Sequence, residues 1–178
     1  MKLLLALFAC AFLPLHAASL ADLTYTTTGG EVTITECNQG ATGELVIPNT
    51  IEGNPVTSIG VAAFYFCTSL TNITIGNGVT SIGNYAFYSC TSLTSITIPD
   101  SVTSIGNYAF RACTNLTSIT IGNGVTSIGE RAFRDCRSLT SITFQGGAPT
   151  VGDDAFLNVA DGAEAFVTAE ALSSFGDV

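Results

Sequence analysis

The sequence holds one histidine, His16, and no tryptophan. Lys and Arg together number 5, and charged residues of both signs make up only 11% of the chain. Each scarcity excludes something. His16 lies in an N-terminal segment that reads as removable, and without it the usual general base and the commonest metal ligand are gone. A Ser-His-Asp or Cys-His arrangement then cannot be built. The balance of 5 basic against 14 acidic residues gives a formal charge of −9, or −10 once Lys2 is removed. Such a chain lacks the basic surface that nucleic acids and anionic membranes require. Beyond the N-terminus no segment approaches the 18 or more apolar residues of a membrane span. Carboxylate pairs remain the one route to catalysis. The acids of the last repeats (Glu130, Asp135, Asp153, Asp154 and Asp161) are expected in loops and helix flanks, and none recurs as a pair. Solvated loop acids, with a weak calcium site at Asp153, Asp154 and Asp161 as the alternative, account for them. No phosphate-cradling or dinucleotide glycine motif is found. No enzyme activity and no cofactor are expected.

What is present is apolar, hydroxylic and glycine-rich. Hydrophobic residues make up 47% of the chain, too many for a disordered one, and Ser, Thr and Gly point to strands and turns. The chain starts "MKLLLALFACAFLPLHAASLADL". Lys2 supplies a positive start, residues 3–13 an apolar run, Pro14 a break, and Ala17 a small residue for cleavage. The pattern predicts a secretory signal peptide over residues 1–17 and a secreted or cell-surface protein. A buried N-terminal helix, or a lipobox at Leu7-Phe8-Ala9-Cys10, are the other readings of the same residues.

A repeat of 23 residues dominates the rest. In units 71–93, 94–116, 117–139 and 140–162, the third position is Ile73, Ile96, Ile119 and Ile142. The fifth is Ile75, Ile98, Ile121 and Phe144, and the twelfth is Ile82, Ile105, Ile128 and Val151, always followed by Gly. Ala86-Phe87, Ala109-Phe110, Ala132-Phe133 and Ala155-Phe156 come next, then Cys90, Cys113, Cys136 and Val159. A partial unit, residues 45–70, precedes them. "TSITI" alternates polar and apolar residues and predicts a strand with Ile inward. "GNG", "PDS" and "QGG" are turn chemistry. "VTSI" predicts a second short strand. The apolar spacing in "NYAFRAC" predicts a turn or two of helix with one buried face. A single unit cannot bury enough to fold alone, so identical units must stack into a solenoid.

The run Leu93-x-x-Ile96-x-Ile98 matches the leucine-rich-repeat skeleton. With "VTSIG" and "AFxxC" added, residues 45–162 resemble the bacterial surface antigen A-like (BspA-like) leucine-rich repeats. For the fold, that resemblance implies short parallel strands on the concave face and short helices on the convex side. It also implies adhesion to host or matrix proteins, or to neighbouring cells. The predicted organisation is a signal peptide at 1–17, an N-terminal β cap at 18–44, about five rungs at 45–162 and a C-terminal cap at 163–178. A β-hairpin around Gly29-Gly30 is expected in the first cap, and a strand at 165–167 followed by a short helix in the second.

Cys67, Cys90, Cys113 and Cys136 recur every 23 residues, which is neither zinc-ligand nor CxxC spacing. They predict a buried column that packs like Val. If a bridge exists, Cys37–Cys67 is the first candidate. Arg111, Arg131, Arg134 and Arg137 interleave with Glu130 and Asp135 and predict a solvated, partly paired face. With Ile inward, the outward residues are Asn72 and Thr74, Ser95 and Thr97, Ser118 and Thr120, and Ser141 and Thr143. This ladder is the candidate binding face for a protein or glycan partner, on a chain expected to be a monomer. A purely structural envelope or matrix role, and ice binding through the hydroxyl rows, remain the alternatives.

Overall fold

In the computed structural model, residues 17–169 and Ser174 are described. The predicted signal peptide up to residue 16 and the predicted C-terminal helix lie outside them. Fourteen short strands follow in chain order: β1 (Leu23–Thr28), β2 (Glu31–Cys37), β3 (Gly43–Val46), β4 (Thr50–Ile51), β5 (Asn54–Ile59), β6 (Leu70–Thr74), β7 (Ser81–Ile82), β8 (Ser95–Ile98), β9 (Ser104–Ile105), β10 (Ser118–Ile121), β11 (Ser127–Ile128), β12 (Ser141–Phe144), β13 (Thr150–Val151) and β14 (Glu164–Val167). Among the described residues they form two sheets, one ordered β1-β2-β5-β7-β9-β11-β13 with β4 beside β5, the other β14-β12-β10-β8-β6-β3.

Each rung gives one strand to each sheet, and equivalent residues of successive rungs lie side by side. Ile96 pairs with Ile119, and Ile119 with Ile142; Ile82 pairs with Ile105, and Ile105 with Ile128. All these pairings are parallel. The exceptions lie near the start: the two-residue β4 pairs antiparallel with β5, and β1 and β2 form an antiparallel hairpin. Gly29 and Gly30 turn it with φ of 62° and 83°, the left-handed pair that suits a tight hairpin. β2 then pairs in parallel with β5 and so lies on the first repeat.

The core lies between the sheets and the turn run that closes each rung. The repeating Ile, Val, Ala, Phe, Cys and Leu positions are buried in every full unit from 71 to 139. Phe64, Phe87, Phe110, Phe133 and Phe156 form one continuous column, with ring centroids 4.9 to 5.2 Å apart and planes within 12° of parallel. That spacing is close to the ~4.8 Å between neighbouring strands. The glycine after each twelfth-position Ile has a packing reason: a Cβ on Gly106 would lie 2.6 Å from the backbone of Gly83 and Asn84.

The expected helices on the turn side are not formed. Between residues 17 and 169 the only helical element is a 3-10 turn at Leu20–Asp22. The "NYAFRAC" run is instead a chain of tight turns. Tyr85, Ser89, Tyr108, Ala112, Arg131 and Asp135 all have φ between 53° and 64°, a left-handed backbone that ends any α-helix. Its N–H groups alternate in direction. Ala109 and Arg111 donate within the rung, to Gly106 and Tyr108. Tyr108, Phe110 and Ala112 donate to Glu130, Ala132 and Arg134 of the next rung. An α-helix is about 10 Å wide, twice the strand spacing, whereas this turn run matches it and hydrogen-bonds along the stack.

Candidate partner-binding face

The outward row of the second sheet is the ladder the alternation singled out. Ser95 and Thr97 on β8 alternate with buried Ile96 and Ile98, and the same pattern recurs on β10 and β12. Register is strict: Asn72 lies beside Ser95, Ser95 beside Ser118, and Ser118 beside Ser141. Thr74, Thr97, Thr120 and Thr143 form the parallel row. Thr74, Ser95 and Thr97 are exposed, and the later members half-buried. A groove of about 410 Å³ runs over the first two full units, lined among others by Asn72, Thr74, Asn77, Ser95, Thr97 and Pro99.

Hydrogen bonding separates this ladder from two other threonine rows. Thr80, Thr103, Thr126 and Thr150 each donate a hydroxyl to the carbonyl of the preceding row member, at 3.0 to 3.2 Å. Thr94, Thr117 and Thr140 do the same, at 3.0 to 3.3 Å. Those hydroxyls are consumed in holding the stack. The side chains of Asn72, Thr74, Ser95, Thr97, Ser118, Thr120, Ser141 and Thr143 have no hydrogen-bond partner among the described residues. They offer donors and acceptors free for a ligand.

The turn side carries a second surface, which the sequence reading treated only in its charged half. Arg111, Arg131 and Arg134, but not Arg137, pair with the acids of their own and neighbouring rungs. Arg111 meets Asp135 at 3.3 Å, Arg131 meets Glu130 at 2.9 Å, and Arg134 meets Asp154 at 3.0 Å. The Asn158 amide, then the Arg111 guanidinium, hold the Asp135 carboxyl below its ordinary range. Asp154 thus serves an ion pair, and no group of three or more metal-ligating side chains occurs among the described residues.

Toward the N-terminal end the same side is aromatic. Tyr65 stacks on Tyr88 at 5.1 Å and Tyr85 on Tyr108 at 4.8 Å. Phe66 packs on the edge of Tyr65, and the Arg111 guanidinium lies over the Tyr88 ring at 5.8 Å. Tyr65, Phe66 and Tyr85 remain 37 to 44% exposed. The signal was available: four of the chain's 5 tyrosines fall in the variable positions around Ala-Phe.

Stacked parallel rungs with an inward Leu-x-x-Ile-x-Ile strand define a leucine-rich-repeat solenoid, here of the all-strand kind. The chain belongs to the BspA-type leucine-rich-repeat family, whose model matches six copies over residues 40–161. Solved structures agree. The Treponema pallidum leucine-rich repeat protein is 29% identical with a TM-score of 0.73, over 80% of this chain and 67% of its own. A leucine-rich repeat protein from Bacteroides ovatus is 35% identical with a TM-score of 0.70, over 83% of this chain and 40% of its own. A leucine-rich cell surface protein from Faecalibacterium prausnitzii is 25% identical with a TM-score of 0.55, over 86% and 51%. The chain thus spans well under the full length of two of these three. No curated protein matches it. Repeats of this class are in general scaffolds for binding other proteins, and no helix among the described residues is long and apolar enough to cross a membrane.

Proposed function

We propose that the protein is an exported adhesion or binding module that holds a protein or glycan partner on its outward Ser/Thr sheet face, without catalysis. One observation carries this reading: the hydroxyls of Thr97, Thr120 and their row are unpartnered, while the rows of Thr103 and Thr117 are spent on the stack. A rigid array of free donors and acceptors loses little entropy when a partner docks. The name of the Faecalibacterium relative, a cell surface protein, and the apolar N-terminal segment support export. The test is a binding panel of extracellular-matrix proteins and neutral and acidic glycans, with Thr97→Arg and Thr120→Arg against Thr103→Arg on the other sheet. Loss of a captured partner in the first two alone supports the face; unchanged capture in all three refutes it.

The exposed ring cluster favours a second reading, in which the turn side carries the partner. Tyrosine and arginine are the residues enriched where binding energy concentrates. Tyr85→Ala in the same panel separates the two: loss there, with Thr97→Arg unaffected, moves the site to the turn side.

A further inference from the structure

The five described cysteines, Cys37, Cys67, Cys90, Cys113 and Cys136, are all buried and unbridged. Cys67, Cys90, Cys113 and Cys136 form one column through the rungs, and Cys37 lies below it in the backbone place that Phe64 takes one rung on. Cys90, Cys113 and Cys136 donate their S–H to the carbonyls of Phe64, Phe87 and Phe110 at 3.0 to 3.2 Å. Cys67 has no phenylalanine rung beneath it. It meets the end of β2 instead, with its sulfur 3.8 Å from the Cys37 carbonyl. The Cys37 N–H is fixed on the Ala63 carbonyl at 2.6 Å. The Cys37 thiol donates weakly to its neighbour's carbonyl, that of Asn38, at 3.7 Å. The mutual proximity of the two thiols holds Cys67 below its ordinary value and Cys37 above its own. A cavity of about 270 Å³ opens at this joint, lined among others by Cys37, Thr35, Glu36, Gln39, Val61 and Tyr65.

We propose that Cys37 and Cys67 are a reversible dithiol–disulfide pair that staples the N-terminal hairpin to the first repeat. The reasoning is geometric. The other column thiols come from identical rungs, so their Cα–Cβ bonds run parallel and their sulfurs face the same carbonyl row. Cys37 comes from a hairpin strand outside the repeat, so its sulfur approaches Cys67 from a different direction, as a bridge requires. The chemistry is thiol–disulfide exchange with a small disulfide admitted by the cavity. One sulfur of the pair, as thiolate, attacks a sulfur of that disulfide, forms a mixed disulfide and expels one thiolate. The second sulfur then attacks the mixed disulfide, the Cys37–Cys67 bond forms, and the second thiolate leaves. Both thiol protons end on the two released thiols, and the small disulfide is the two-electron oxidant. Persistence of the bridge in the cell rests on the export reading; the chemistry does not, and it is tested in vitro.

The experiment incubates the full-length native chain with oxidised glutathione, alkylates free thiols and maps peptic peptides by mass spectrometry. Expected is a peptide pair joining Cys37 to Cys67, lighter by two hydrogens than the two reduced peptides together and separated by dithiothreitol. Cys37→Ser abolishes it and Cys113→Ser leaves it intact. Amide exchange across β1 and β2 slows on oxidation. A map in which both cysteines stay alkylated, in which Cys37 stops at a glutathione adduct, or in which Cys67 is joined to Cys90 instead, overturns the proposal. Circular dichroism of Cys37→Ser shows that its fold survives; should it not, Cys37→Ala and the unmutated chain's own map decide.

Discussion

The rings of Phe87 and Phe110 lie 4.9 Å apart with 9° between their planes, and neither side chain is exposed. Each ring is the floor of one rung and the ceiling of the next. Removing one therefore opens a cavity that two rungs share, and neither can close it while the strands on both sheets fix their spacing. Phe110→Ala is expected to cost about 3–5 kcal/mol in chemical denaturation. Phe156 caps the column and is only partly buried, so Phe156→Ala is expected to cost clearly less. Equal losses at the two positions would mean that the column does not act as a continuous stack.

Much of this column was legible, because burial repeats with the sequence. An apolar residue that returns every 23 positions must face the same environment in every rung. The outward face was legible for the same reason: alternation around Ile96 and Ile119 settles which residues point away. What alternation cannot tell is which hydroxyls are already spent. Thr94 and Thr97 are alike as residues and both exposed, yet only Thr94 donates to the stack. The turn side was misread for a physical reason. Apolar positions at i, i+1 and i+4 fit a helical turn as well as a run of tight turns. The deciding feature is a left-handed backbone at Tyr85, Tyr108 and Arg131, none of which is Gly or Asn. Stacking along the rungs imposes that conformation against local preference.

Ala112 gives a test of that difference. Its φ is 60° and its N–H donates to the Arg134 carbonyl of the next rung. In a helix, Ala→Gly is destabilising by about 1 kcal/mol. At a left-handed position the sign reverses, because Gly escapes a steric cost of roughly 1–2 kcal/mol and gives back part of it as unfolded-state entropy. Ala112→Gly is expected to be neutral or stabilising by up to about 1 kcal/mol. Ala112→Val, β-branched where φ is positive, is expected to destabilise by about 2 kcal/mol. Thermal or urea unfolding of the three proteins reads the signs directly, and a loss of stability in Ala112→Gly would restore the helix.

Cys113 supplies a pH test. Burial, then the neighbouring Cys136 and Cys90 thiols, raise its pKa well above the ordinary 9.0. The folded chain therefore keeps this proton at pH values where the unfolded chain has released it. Above about pH 9 the unfolded state binds fewer protons at this site, so stability must fall as pH rises, by up to about 1.4 kcal/mol per pH unit for this one group. Below pH 9 both states hold the proton and the site contributes no slope. Cys113→Val removes the titration and keeps an apolar side chain of the kind that Val159 places in the last unit, but it loses the 3.1 Å bond to the Phe87 carbonyl. The variant is expected to be the less stable protein near neutral pH, by about 1 kcal/mol, and to lose stability more slowly than the parent between pH 9 and 10.5. The two curves then converge in alkaline buffer. Curves that stay parallel through that range would show that the Cys113 thiol titrates alike in both states and is not the buried neutral group that its place in the column makes it.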